Sequence, residues 1–370
     1  MKLTVLQEDL HRALSLASRF TTSRAQLPVL ANVLLSTEDH RLRLSATNLE
    51  MSVSLWLGTK TEKEGATTLP AKEIAEFISY LSPGKVTLES QGESGLKVIS
   101  PQSSSTFSTI SAADFPQIPV PDPSKTFTLD LDTFAKDVEQ VALSAATDDT
   151  RPVLTAVLWE FSSDSYQMVA ADGYRLSLKK SALRNPALAP KQSFLVPVRI
   201  LQELVRSLKG SEKLQIGLTK DAHQVVFALP DLHFVSRLIE GDFPDYQRIL
   251  PSDYKVKLVL DKEELLQAVR LASVFARESA NVVRFSVTAD SLTLSANSPS
   301  VGENQVKVPA KVDGETMEIA FNYKFVLDYL SICEADTVEI RFTESLSPGL
   351  FLDAKDPAFT HLIMPVRLPE

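Results

Sequence analysis

The chain repeats itself, and that constrains its fold more than any single motif. Three segments share one pattern: LTVLQEDLHRALSLAS from Leu3, FTLDLDTFAKDVEQVALSA from Phe127 and VKLVLDKEELLQAVRLAS from Val256. Each opens with a short alternating run, which predicts a strand with one buried face, and continues into apolar residues at helical spacing. Acidic residues such as Glu8 and Asp9 stand where the positive end of a helix dipole favours them. Leu10, Leu14 and Ala17 correspond to Phe134, Val138 and Val141, and again to Leu265, Val269 and Ala272. The shifts are 124 residues (10 to 134) and 131 residues (134 to 265).

A second set of matches is RLRLSATNLEMSVS, YQMVAADGYRLSL and SLTLSANSPSVGENQV, in which Ala46-Thr47-Asn48 aligns with Ala170-Ala171-Asp172 and with Ala296-Asn297-Ser298. Asp172-Gly173 is therefore predicted to fill a strand-to-strand turn that recurs as Asn48-Leu49 and Ser298-Pro299. A third set is a second helix per repeat: LPAKEIAEFISYLS, VPVRILQELVRSLKG and FNYKFVLDYLSIC, followed by the strands VTLES, LQIGL and VEIRF. FSTISAADFPQIP matches VSRLIEGDFPDYQRILP, and each ends in a proline-rich stretch. The predicted domains are 1–121, 125–251 and 254–370. Each has two helices packed on antiparallel sheet, an α+β layer.

Composition removes several function classes. The net charge of -9 argues against a protein that coats nucleic acid with its whole surface, while leaving room for a local basic face. One cysteine, Cys333, excludes an internal disulfide framework, and no two of the five histidines are spaced three or four apart as in a zinc-binding HExxH motif. No metal or other cofactor is expected. Glu8 and Asp9 interrupt the first apolar run before a secretory core could form, and no later run reaches the roughly 18 apolar residues of a membrane span. The expected setting is the cytoplasm, without membrane contact.

The phrases LPVLANVLL (27–35), SATNLEMS (45–52), SAADFP (111–116), TRPVLTAVLWEF (150–161), VAADGYRL (169–176), LIEGDFPDYQRILP (238–251) and HLIMPVRL (361–368) run from one end of the chain to the other. In this order and register the chain resembles the bacterial DNA polymerase III β subunit family, the replicative sliding clamps. The resemblance implies three processivity-clamp domains closing into a six-domain ring as a head-to-tail homodimer, with helices lining a hole that holds duplex DNA. It implies a protein that is not an enzyme: it slides without sequence specificity and tethers the DNA polymerase catalytic subunit and other clamp-motif proteins. An ATP-dependent clamp loader is implied as a separate protein, since the chain has no GxxxxGK[ST] loop.

If helices face DNA, their solvent sides should carry arginine. Arg12 and Arg19 lie opposite the stripe of Leu10, Leu14 and Ala17, and Arg199 and Arg206 lie opposite Ile200, Leu201, Leu204 and Leu208. Arg270 and Arg277 form a third pair flanking its stripe, and Glu203 and Glu278 dilute the field. Sparse phosphate contacts suit sliding, because each neutralised phosphate adds salt-sensitive affinity. Arg24 matches a position that meets DNA in the family.

The resemblance also implies a partner-binding groove made by Leu154, Ala171, Gly173, Tyr174, Arg175, Leu176, Pro244, Arg248, Ile249, Ile363, Met364, Pro365, Val366, Arg367 and Leu368. Apolar side chains rimmed by arginines suit a short peptide with hydrophobic anchors and a polar or acidic neighbour. Tyr174 and Arg175 are expected to project toward that partner. The chain departs from the family at Ala171 and Tyr174, where threonine and histidine are frequent, and Pro369 and Glu370 extend past the usual leucine end. Phe107 and Leu271 are the candidate dimer-interface residues. Two other readings stay open: a magnesium enzyme built on Asp148, Asp149 and Asp172, and a binding scaffold that uses the groove without encircling DNA.

Overall fold

The computed structural model describes residues 1–23, 27–92, 94–121, 126–183, 192–207 and 213–367. Six α-helices occur among them: α1 (Gln7–Ala17), α2 (Ala71–Tyr80), α3 (Leu131–Ala142), α4 (Val198–Ser207), α5 (Lys262–Ala276) and α6 (Tyr323–Ile332). The three aligned stripes are buried as the repeat requires: Leu10, Leu14 and Ala17, then Phe134, Val138 and Val141, then Leu265, Val269 and Ala272. Ile200, Leu201 and Leu204 are buried likewise, whereas Leu208 lies outside the described residues. In α5 the Asp261 side chain caps the first turn by accepting the Glu264 N–H at 3.0 Å, so an otherwise unsatisfied backbone donor is bonded.

Two compact units result, and neither is a single repeat. One comprises residues 1–131 and 208–238, the other 132–207 and 239–370. In the first unit, strands of the first and second repeats share one antiparallel sheet, because Leu232–Arg237 pairs with Met51–Gly58 in a register that sets Phe234 opposite Val53. A separate five-stranded sheet in this unit ends on the strand Ser104–Ser108.

The second unit is organised around a twelve-stranded sheet that crosses the border between the second and third repeats, where Arg175–Ala182 pairs with Phe359–Ile363. Trp159 is fully buried against the rings of Phe134, Phe161, Tyr166 and Phe194, with centroids 5.2 to 5.8 Å away. Beside this core, the Lys179 ammonium is buried between two carboxylates. It bonds Asp356 and lies 3.7 Å from Asp137, which also accepts hydrogen bonds from the Tyr166 and Ser181 hydroxyls. Burial pushes the Asp137 carboxyl up. Burial acts on Asp356 in the same sense, but the hydrogen bonds from Lys179 and Gln140 outweigh it and hold that carboxyl below its usual range.

Cys333 is buried in the third-repeat core, as an ordinary packing residue.

Candidate functional site

Asp172, Gly173 and Tyr174 connect the strands Ser165–Ala171 and Arg175–Ala182. The Asp172 carboxylate closes the turn by accepting the backbone N–H groups of Tyr174 at 2.8 Å and Arg175 at 2.9 Å. Asn48 does the same in the first repeat, accepting from Glu50 at 3.0 Å and Met51 at 2.7 Å. Leu49 and Gly173, the residues that follow, both have left-handed backbone, φ 74° and 93°. This duplication gives Asp172 a structural role, because an uncharged asparagine at the same position builds the turn in the same way. The other Asp172 oxygen bonds Arg175 Nε at 3.0 Å.

Asp148 likewise caps its own loop on Thr150, whose hydrogen bonds hold its carboxyl below the usual range. Among the described residues no group of three or more His, Cys, Asp or Glu side chains could hold a metal ion.

The predicted groove residues divide into floor, wall and rim. Leu154, Ala171 and Leu176 are buried, and Ala171 and Leu176 join Ala156, Leu158, Val169, Leu178, Leu195, Tyr246 and Leu362 in one apolar cluster. Met364 packs against this cluster half-buried, together with Val153, Ile239, Phe243, Leu250 and Leu350. Pro365 and Val366 are also half-buried, while Pro244, Arg248, Ile249 and Arg367 are exposed. Ile249 is 40% exposed and the Arg248 side chain 84%, paired with Asp245 at 2.7 Å. Leu368 lies outside the described residues, as do Pro369 and Glu370.

Three differences from expectation have simple physical causes. Ile363 does not line the groove. Side chains alternate along Phe359–Ile363, so Phe359 and Ile363 enter the third-repeat core while Leu362 faces the groove cluster. Leu362 was missed, although the period of two in THLIM carries the signal. Arg175 does not project: it bonds Asp172 and Asp328, and its guanidinium lies 4.5 Å over the Phe325 ring, so its charge is already matched. Tyr174, by contrast, is 64% exposed. Arg151, also missed, stands against the turn, donating to the Asp172 carbonyl at 2.9 Å. A Cβ on Gly173 would meet its guanidinium at 3.1 Å.

Under this groove His361 is fully buried, with Nδ1 2.9 Å from the Ser177 hydroxyl and its ring stacked 5.4 Å from Tyr329. Burial, then the nearby Arg175 charge, pushes its pKa down to about 3. The unfolded histidine takes up a proton below about 6.5 and the folded one does not, so stability falls as the pH drops from about 6.5 toward 3 and is unaffected above. At pH 5 the cost is about 2 kcal/mol, each unit of pKa difference being worth about 1.4 kcal/mol. His361→Gln is expected to flatten the change in urea midpoint between pH 7.5 and pH 5; an unchanged slope would discard this assignment.

The six described arginines predicted on helix faces, Arg12, Arg19, Arg199, Arg206, Arg270 and Arg277, are all exposed. Arg12 lies 3.7 Å from Asp9 and Arg206 3.0 Å from Glu203, so part of their charge is spent locally. Arg24 lies outside the described residues. Leu271 is 47% exposed on α5, and Phe107 is half-buried on Ser104–Ser108, edge-on to Phe77 at 5.3 Å.

Comparison with known proteins covers the whole chain. Residues 1–119, 128–245 and 247–367 match the N-terminal, central and C-terminal domains of the DNA polymerase III beta subunit. The beta sliding clamp of Synechococcus elongatus is 32% identical over 378 residues, covering all of both chains. Among solved structures, the DNA polymerase sliding clamp from Bacillus subtilis superposes with a TM-score of 0.94 at 27% identity, and a sliding clamp from Pseudomonas aeruginosa bound to griselimycin with 0.93 at 26%, each covering 100% of both chains. Three domain matches in chain order, with a relative at this identity along its full length, place the chain in one family: it belongs to the DNA polymerase III β subunit family, the bacterial sliding clamps.

Proposed function

We propose that two copies of this chain close head to tail into a ring of six domains that encircles duplex DNA and tethers the replicative polymerase by a peptide held in the groove. The observation that carries this reading is the likeness to sliding clamps over 100% of the chain at a TM-score of 0.94. The division into domains 1–121, 125–251 and 254–370 belongs to the same proposal. A heterologous contact whose rotation closes leaves no free ends. Two features support closure: among the described residues Ser104–Ser108, which carries Phe107, ends its sheet, and the first half of Gly302–Gly314 is paired with another strand on one side only. Pairing such edges across copies would remove them from solvent.

The exposed arginines of α1, α4 and α5, with Arg19 and Arg277 just beyond their ends and Arg24, would meet phosphates sparsely, without reading bases. Retention then comes from topology. The protein acts as a tether with no catalytic step of its own and no cofactor, works in the cytoplasm, and depends on a separate ATP-driven loader. Its groove also serves other clamp-motif proteins. No helix of the described residues is long and apolar enough to cross a membrane.

Loaded on a nicked circle by a loader, the protein is expected to co-elute with the DNA in gel filtration and to be lost when the circle is linearised. Equal loss from both forms would refute encirclement.

A further inference from the structure

The scaffold of the groove occurs twice in the chain. In the second unit its floor crosses four strands, where the register sets Leu195 opposite Leu158, Leu158 opposite Val169 and Val169 opposite Leu178. In the first unit the same steps join Thr68, Leu34, Ser45 and Ser54. The next row repeats the correspondence: Ala171, Leu176 and Leu362 lie across one sheet, and Thr47, Ser52 and Val235 across the other. The attachment of the tail is copied too, since the Arg237 N–H donates to the Glu50 carbonyl at 2.8 Å as Met364 does to Tyr174.

The chemistry of the two floors is opposite. Val169, Leu176, Leu178 and Leu195 belong to the apolar cluster of the groove, whereas Ser45, Ser52, Ser54 and Thr68 bury hydroxyls at the matching places. Those hydroxyls are bonded: Ser45 to Ser54 at 3.0 Å, and Ser52 to the Thr47 hydroxyl at 2.7 Å. Asn32, paired with Pro70 as Ala156 is with Pro197, donates its side-chain amide to the Thr68 hydroxyl at 2.9 Å. The apolar cluster of the first unit is thereby cut back to Val29, Leu30 and Phe115 with three flanking side chains, and the exposed Arg237 stands where Met364 forms the wall.

We propose that Asn32, Ser45, Ser52, Ser54 and Thr68 are specificity determinants, which confine an apolar peptide to the second unit so that a chain with two copies of the scaffold takes one peptide. The inference rests on the groove reading above. An apolar anchor settles by easing floor side chains apart, and contacts between carbon atoms have no direction to lose. Over the first unit the same movement parts hydroxyls from their partners, and a buried polar group so stranded offsets what the anchor gains.

The probe is a fluorescent peptide selected from a random library on the intact protein and released by Met364→Asp. At saturation the wild-type chain is expected to hold one such peptide, and two would overturn the proposal. Exchanging the floor of the first unit for its counterpart (Asn32→Ala, Ser45→Val, Ser52→Leu, Ser54→Leu and Thr68→Leu, with Arg237→Met for the wall) should raise the count to two, while Arg237→Met alone leaves it at one. The converse pair, Ala156→Asn with Leu195→Thr, should weaken the groove by about tenfold or more, the scale of one stranded polar group, and Leu195→Val by no more than about threefold. Ala156 and Leu195 are only 0% and 4% exposed, so lost contact with the peptide does not account for such a difference. A count that stays at one in an exchanged chain with a native urea melt, or a groove as tight with the converse pair as with Leu195→Val, overturns the proposal. Where the exchanged floor fails to fold, the converse pair decides. A library that yields no peptide released by Met364→Asp overturns the groove reading and this inference with it.

Discussion

Truncation after Ile363 is expected to abolish capture of a groove-binding peptide, raising its Kd by at least about a hundredfold, while the chain still folds. The reason lies in how the tail is attached. Met364 donates its N–H to the Tyr174 carbonyl and Val366 to the Ala320 carbonyl, each at 2.8 Å, and beyond Ile363 these two bonds hold an otherwise irregular segment. The strand Phe359–Ile363 keeps both of its neighbours without it.

What is lost is apolar surface: Met364 on the groove cluster, with Pro365 and Val366 half-buried beside it. Three such side chains, each contributing about 1 to 2 kcal/mol when a ligand covers them, correspond to two or more powers of ten in affinity. Fluorescence anisotropy with a labelled groove-binding peptide measures the loss, and a urea melt separates it from unfolding. Binding within threefold of the full chain would show that the tail is not part of the groove.

Lys179→Met is expected to destabilise the second unit by about 3 kcal/mol at pH 7, because it leaves buried carboxylates without their cation. Asp137 is fully buried and Asp356 nearly so; Lys136 stays near Asp356 at 3.4 Å, and Gln140 donates to it at 3.0 Å. These remaining partners keep the cost at the lower end of the range for a broken buried pair.

The pH dependence has a definite sign. A carboxyl held below its usual range contributes stability above about pH 4 and loses it as pH falls through the folded value. Asp356 makes that contribution in the native protein through Lys179. The deficit of Lys179→Met should therefore shrink toward acid, and Asp356→Asn added to it should recover part of the loss at pH 7. A change in unfolding free energy below 1 kcal/mol, or a deficit that does not vary with pH, would show that the ammonium is not compensating these acids.

Much of this was legible without coordinates, and for identifiable reasons. Leu10, Phe134 and Leu265 announce three helices because a buried stripe recurs every three to four residues whatever the tertiary context. The Asn48 and Asp172 turns were legible for a similar reason: both close through a side-chain oxygen bonding amides two and three residues on. Groove membership was legible only in part. The phrase HLIMPVRL marked the segment, but Ile363 turned inward and Leu362 took its place, a matter of strand phase that alternation could have resolved.

Local pattern thus determined the repeat with its helices and turns, since each depends on residues within a few positions of one another, whereas the proposed groove segments came from the family resemblance. Tertiary structure alone decided that Arg175 is neutralised by Asp328, that Lys179 meets Asp356, and that strands of different repeats share sheets. The two side-chain pairs lie 153 and 177 positions apart. Pairing over such separations is set by how edges and faces come together in space, and no periodicity along the chain encodes it.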